Sequence, residues 1–232
     1  MLSERTTPSA AETIAQILRR QIVDEFTDGD HIGSAEELTD RFHVSGPTLR
    51  QAMRILEAEG LVKVRRGNSG GFFASTPSIE VVSRSASALL RRQGAELADL
   101  IHMSQLLGPE VASRAASNPD KAARQRLADY VDEIWAHGTD TTIENAVTAA
   151  VSIARPMGEL SGSPSLALFS AVLSDLVVDL LSEVARTTSP QALNGYALKI
   201  RSGHKRLARA IAKGDAGKAR SIQQQMNLIV SP

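Results

Sequence analysis

The chain has 232 residues, 42% hydrophobic and 22% charged, with 26 basic residues balancing 26 acidic ones and no cysteine. That length suggests about two domains, while the missing cysteine excludes a disulfide framework and a thiolate metal site. Zero formal charge excludes a global attraction to nucleic acid, and no apolar run is expected to reach the roughly 18 residues of a bilayer span, so a cytoplasmic protein with no membrane partner is expected.

Residues 1–8 are polar and include Pro8, which reads as a loose arm. Ser9 with Glu12 has the spacing of a capping box and opens a helix whose Ile14, Ile17, Leu18, Ile22 and Phe26 keep helical period. Asp28-Gly29-Asp30 reads as a turn. Ser34 with Glu37 is a second capping box and starts a second helix. Val44 follows a short turn, Ser45 caps a third helix, and Pro47 suits its first turn, where no amide is needed. This helix runs to about Glu59, with Leu49, Ala52, Met53 and Leu56 inward and Thr48, Arg50, Gln51 and Arg54 near or on the outer surface. Gly60 stops it. Leu61, Val62 and Val64 read as a strand, Gly67 to Gly71 as a turn, and Phe72 and Phe73 as the return strand, with Lys63, Arg65 and Arg66 as the exposed charges.

That order of elements is a winged helix-turn-helix. A helix offering hydroxyl, amide and guanidinium groups in its N-terminal half suits the major groove of duplex DNA, and a basic hairpin suits phosphate or the adjacent minor groove. Asp24, Glu25, Asp28, Asp30, Glu36, Glu37 and Asp40 crowd the stretch before this helix and repel phosphate. Binding by one subunit is therefore expected to be modest, and a dimer on two half-sites recovers affinity.

Ser75-Thr76-Pro77-Ser78 has the composition of a linker. From Ile79 to Pro232 the pattern gives no strand, only helical segments over 79–93, 95–117, 119–137, 141–160, 164–187, 190–213 and 215–229. Turn signals at Gly94, Asn118-Pro119, Gly138, Gly162-Ser163-Pro164, Ser189-Pro190 and Gly214-Asp215 separate them. The fold class is mainly α: a winged helix-turn-helix over 9–75, a linker and first helix over 76–94, and an all-helical bundle over 95–232. No enzyme and no cofactor are expected. Histidine is scarce, and the glycine-rich Gly67-Asn68-Ser69-Gly70-Gly71 lies between strands instead of opening a helix, so it is no phosphate loop.

Several motifs carry a resemblance: Asp28-Gly29-Asp30, Ser34 to Leu38, Phe42 to Arg50, Ile55 to Val62 and Val64 to Phe73 in the first third. In the helical part they are Leu107-Gly108-Pro109-Glu110, Glu159 to Pro164 and His204 to Ala219. With these the chain resembles the GntR family of bacterial transcription regulators, in its FadR-like branch, and its helical part resembles the family's FCD effector-binding domain. The resemblance implies a homodimer on a short operator palindrome, a repressor whose DNA binding is modulated by a small molecule in the helical domain. It places DNA contacts at Ser34, Thr48, Arg50 and the wing glycines. The expected DNA-binding set is therefore Ser34, Ser45, Thr48, Arg50, Gln51, Arg54, Lys63, Arg65, Arg66, Gly67 and Gly70. The chain departs from the family at Gly46, where an arginine is usual, and at Ala35-Glu36, where a glutamate-arginine pair is usual.

Many FCD domains hold a divalent metal through an aspartate and a histidine four apart plus two later histidines. The resemblance puts Ala150, Ala154, His204 and Met226 at those positions, and Ser104 where an anion-binding arginine is usual. No metal is expected, because one histidine does not supply three or four ligands. The candidate effector pocket comprises His102, Ser104, Ala150, Ala154, Arg155, Arg201, His204 and Met226, with Pro156 kinking the chain beside it. An apolar or acyl-type ligand such as an acyl thioester suits it. His204 has a second reading, as a satisfied histidine within the bundle. The whole chain likewise has one: an effector-independent dimeric regulator with a closed, ligand-free helical domain.

Overall fold

The computed structural model describes residues 8–67, 70–136, 142–185 and 190–229. The chain divides into two compact units, Met1–Val81 and Val82–Pro232. The polar arm expected at the N-terminus lies, up to residue 7, outside the described residues, as does the turn expected at Gly138.

In the first unit, α1 (Ala10–Glu25) begins at Ser9, whose Oγ accepts the Glu12 amide at 3.3 Å while the Ser9 amide donates to the Glu12 carboxylate at 2.7 Å. Its buried face is Ala11, Ile14, Ala15, Leu18 and Ile22, whereas Ile17 points outward at 43% exposure. The helix pair follows as α2 (Ala35–Phe42) and α3 (Gly46–Ala58), both capped by the predicted serines. Three antiparallel strands complete the unit: β1 (His31–Gly33), β2 (Val62–Arg65) and β3 (Gly71–Ala74), in the order β1-β3-β2. β1 is absent from the sequence reading and directly follows the turn expected at Asp28-Gly29-Asp30. It is three residues long and owes its strand character to pairing with β3, His31 opposite Phe73, which no local pattern announces. Leu18, Leu38, Leu49, Met53, Leu56 and Val62 form one buried core under all these elements. Arg19 on α1 clasps the carboxylate of Glu59, at the end of α3, through two nitrogens at 2.6 and 2.8 Å.

α4 (Ile79–Arg92) begins at the division between the units. The second unit continues with α5 (Leu97–Ala116), α6 (Lys121–Ile134), α7 (Ile143–Leu160), α8 (Pro164–Ala185), α9 (Pro190–Lys213) and α10 (Ala216–Ile229), each within a few residues of its expected segment. Gly94, Gly162 and Gly214 take φ of +74°, +70° and +75°, the left-handed geometry that ends a helix. α5 lies against α10 and α8, α7 against α8, and α9 against α6 and α10, around Val111, Val131, Ile153, Leu207 and Ile211.

One expectation fails here. The stretch Pro164–Leu181 on α8 is long and apolar enough, by composition, to cross a membrane. The sequence hides this because serines and two aspartates, Asp175 and Asp179, interrupt the run, yet its mean hydropathy stays at 1.7. α8 nonetheless packs as a bundle helix through Ala171, Val172, Leu173 and Leu176, while Leu168 and Phe169 stay exposed at 38% and 61%.

Glycines set two close helix approaches. A Cβ at Gly158 on α7 would lie 2.9 Å from the Ala167 Cα of α8, and one at Gly203 on α9 would lie 2.6 Å from the Met226 side chain of α10. Gly158→Ala is expected to lower stability by roughly 1–3 kcal/mol, since backbone has to separate to admit the methyl. A urea titration of the full chain would show it as a lowered midpoint.

Candidate nucleic-acid interface and buried cavity

The N-terminus of α3 is built by Ser45. Its Oγ accepts the Thr48 amide at 3.4 Å and pairs with the Thr48 hydroxyl at 2.9 Å, with Pro47 in the first turn. Because Leu49, Ala52, Met53 and Leu56 are buried, helical geometry leaves Arg50, Gln51 and Arg54 exposed and Thr48 half-buried on the other face. The Arg50 guanidinium folds back over the first turn, where a Cβ on Gly46 would meet its Nη1 at 3.2 Å. The bare N-terminus thus carries a cation one turn further along the helix.

Ser34 is half-buried at the start of α2, its Oγ accepting the Glu37 amide at 3.2 Å. The Ser34 amide donates to the Glu37 carboxylate at 2.7 Å and holds that carboxyl below its ordinary range. Asp30 is lowered in the same way by the Thr27 amide and hydroxyl, both at 2.7 Å, and Asp28 accepts the Thr76 amide at 2.8 Å. Part of the acidity before α3 is therefore fold-forming chemistry of turns and caps, although the charges persist.

In the wing, Lys63, Arg65, Arg66 and Gly67 are exposed. The Gly70 amide donates to the Gly67 carbonyl at 2.9 Å, and a Cβ at Gly70 would lie 2.6 Å from the Arg65 carbonyl oxygen, so only glycine fits. Asn68 and Ser69 lie outside the described residues. Sequence reasoning missed the support beneath the wing. The Arg65 guanidinium lies 4.1 Å from the centre of the Phe73 ring, and the His31 ring sits 5.0 Å from the same ring. This cation–π contact fixes where Arg65 points. Its only sequence signal was the alternation of Phe72 inward and Phe73 outward.

In the helical unit, α5, α7, α8, α9 and α10 line a half-open cavity of about 190 Å³. Five of the expected pocket residues line it: Ser104, Ala150, Ala154, His204 and Met226. Three do not. His102 is exposed on α5 and does not face His204. Arg155 pairs with Asp175 at 3.4 Å, and Arg201 donates to the Trp135 carbonyl at 3.2 Å with its guanidinium 5.9 Å from that indole. Pro156 borders surface clefts beside Tyr130 instead, and α7 continues through it. The reason is common to all four: each residue along a helix turns by about 100°, so a step of one or two residues from a lining position carries a side chain out of the cavity.

The described lining holds no aspartate, glutamate, lysine or arginine. Ser104 and Ser170 turn their hydroxyls to their own helices, donating to the Leu100 and Ala167 carbonyls at 2.9 and 3.2 Å. His204 is buried, and its Nδ1 has no hydrogen-bond partner, which departs from the reading of a satisfied core histidine. Burial pushes its pKa down from 6.5 to about 4, so it is neutral at physiological pH. The donor set does not fit a divalent metal: Ala150, Ala154 and Met226 surround one imidazole, and among the described residues no three His, Cys, Asp or Glu side chains gather.

The pattern of bacterial regulatory proteins of the gntR family matches residues 10–72, and that of the FCD domain matches residues 99–226. The chain belongs to the gntR family. This gntR regulator is 25% identical over 201 residues to the HTH-type transcriptional regulator LutR of Bacillus subtilis (strain 168), spanning 84% of this chain and 87% of that protein. It is 24% identical over 221 residues to the HTH-type transcriptional repressor NanR of Escherichia coli (strain K12), spanning 94% and 80%. Among solved structures, Streptococcus agalactiae GntR superposes with a TM-score of 0.69 at 19% identity, covering 95% of this chain and 98% of that one, which supports the fold. The gntR regulator is thus a DNA-binding transcriptional regulator with an FCD effector-binding domain, and its relatives are regulators, not enzymes.

For the buried imidazole the pH prediction has a definite sign. The unfolded chain binds a proton near pH 6.5 and the folded one only near 4, so stability from this site is complete above 6.5 and falls as pH drops between those values. Urea midpoints measured from pH 7 to pH 4.5 should fall less steeply for His204→Phe than for the wild type.

Proposed function

We propose that the chain is a homodimeric repressor of the FadR-like branch whose operator binding is modulated by a small apolar ligand held in the helical unit. The observation that carries this reading is the cavity itself: about 190 Å³ lined by five helices and apolar but for hydroxyls, an amide and the His204 imidazole. A ligand-free, closed bundle would fill such a space with side chains. The repressor role is in line with the name of the NanR relative. A short acyl chain suits the cavity, whereas the phosphates of a coenzyme A head group find no lysine or arginine in its described lining.

The DNA contacts belong to the outer face of α3, with Ser45, Thr48, Arg50, Gln51 and Arg54, together with Ser34 and the wing residues Lys63, Arg65, Arg66, Gly67 and Gly70. Local cations work against a net charge of zero, so a second copy bound to a second half-site supplies the missing affinity. Exposed Leu168 and Phe169 on α8 offer apolar surface for that copy. Operator DNA places the protein in the cytoplasm.

In vitro selection from random duplexes supplies an operator, and fluorescence anisotropy then tests the contacts. Arg50→Ala should weaken operator binding by about 5- to 150-fold, the equivalent of roughly 1–3 kcal/mol, with little change on random duplex. Unchanged affinity for both would remove Arg50 from the readout. Replacing Arg65 and Arg66 together by alanine should weaken binding to every sequence and reduce the salt slope by about 2. A slope identical to the wild type would take the wing off the phosphates.

A further inference from the structure

The outer face of the three-stranded sheet gathers cationic side chains around a single aromatic ring. With Arg65 read as a phosphate contact, we infer that this face is a further phosphate-contacting surface of the reader, in which His31 is an additional DNA contact beside Arg65 and Phe73 is the positioning residue that seats them both.

Strand pairing assembles the surface. The register sets His31 of β1 opposite Phe73 of β3, and Phe73 opposite Lys63 of β2, so these three side chains form one row on the face turned away from the core. Arg65 stands opposite Gly71 in the next row of the same face. Val62, Phe72 and Ala74 take the other face and are buried.

The ring holds the rows together. The Arg65 guanidinium lies 4.1 Å from its centre, and the His31 imidazole lies 5.0 Å from it, inclined by 56°. Phe73 is half-buried between them, while His31, Lys63 and Arg65 are exposed. Gly71 leaves the room that the imidazole occupies, because a Cβ there would lie 2.6 Å from His31 Nε2. The imidazole therefore leans across β3 toward the row of Arg65.

A guanidinium and an imidazole flanking one ring offer their N–H groups to the same small area, so a phosphate that reaches Arg65 meets a second donor. The chain itself leads to the same place: β1 runs into Ser34 at the start of α2, and β2 and β3 run into the wing. No strand of the sheet carries an acid. Of the carboxylates nearby, Glu37 of α2 feels the charge of His31 but accepts the Ser34 amide at 2.7 Å, and Asp30 is held by the Thr27 amide and hydroxyl. Neutral imidazole donates through one nitrogen and imidazolium through both, with a charge added. Acid thus strengthens the contact without creating it.

The test binds the full chain to a selected operator and to a random duplex of equal length, over a salt series at about pH 6 and about pH 8, read by fluorescence anisotropy. His31→Ala should weaken binding to both duplexes by about three- to tenfold near pH 6, with a salt slope reduced by up to about 0.9, and by less near pH 8, since histidine ordinarily loses its charge near pH 6.5. His31→Lys should keep the affinity and remove that part of the pH dependence. Phe73→Leu should weaken both duplexes by about two- to fivefold and Phe73→Tyr should not, whereas Phe73→Leu added to His31→Ala with Arg65→Ala should cost nothing further. Unchanged binding of His31→Ala at both pH values would overturn the inference, as would a loss confined to the operator, which would make His31 a base reader. A Phe73→Leu loss that persists in the doubly substituted background would overturn the positioning role. His31 is exposed, so its variants decide the matter even where Phe73→Leu fails to fold. Arg65→Ala separates this surface from the reading beneath it. Loss in Arg65→Ala with none in His31→Ala keeps the wing on the phosphates and overturns the inference, whereas loss in His31→Ala with none in Arg65→Ala overturns the wing reading and leaves His31 on the DNA.

Discussion

Everything the DNA-reading unit presents outward depends on how completely the inner face of α3 is buried. Leu49, Ala52 and Leu56 have no exposed surface and Met53 almost none, packed against Leu18 of α1 and Leu38 of α2. A helix pinned along that stripe cannot rotate about its axis, since turning it would expose several large side chains at roughly 1.5–3 kcal/mol each. Arg50, Gln51 and Arg54 are thereby aimed by residues that touch no DNA. The ion pair between Arg19 and Glu59 ties the far end of the same helix to α1, but its half-exposed setting makes it a minor contributor beside the apolar stripe.

What could be read from the chain follows the range of the interaction concerned. Capping boxes at Ser9 and Ser34, the Ser45 cap and the glycine stops involve residues three or four apart, and each appears where its spacing indicated. The helical segments of the second unit were equally legible, because period and turn residues are local signals. β1 was not, since its strand character is conferred by β3 some forty residues later. The seat of Arg65 on Phe73 depends on that same pairing. Within the bundle the difficulty was directional. Ala150, Ala154, His204 and Met226 do meet around one space, but Arg155 and Arg201, each one or a few residues away along the same helices, turn to Asp175 and Trp135. Apolar residues on every side of a helix leave its facing undetermined until neighbours are in place.

The two units set opposite electrostatic problems. The reader concentrates cations in a chain of zero net charge and gives several neighbouring carboxylates to backbone amides. The bundle keeps charged side chains out of the described cavity lining and leaves one neutral imidazole there. A surface made of charges responds to salt, while a largely apolar pocket responds to shape.

Gly203 touches this last point from behind the wall. It is absent from the cavity lining, yet the Met226 side chain that does line it rests directly on the space a Cβ at position 203 would occupy. One added methyl there has to displace a flexible thioether, and the direction with room is inward. The internal volume is therefore governed by a position no ligand ever meets. Relatives that differ at this glycine can acquire a smaller chamber while keeping every lining residue, so comparing linings alone would assign them the wrong ligand.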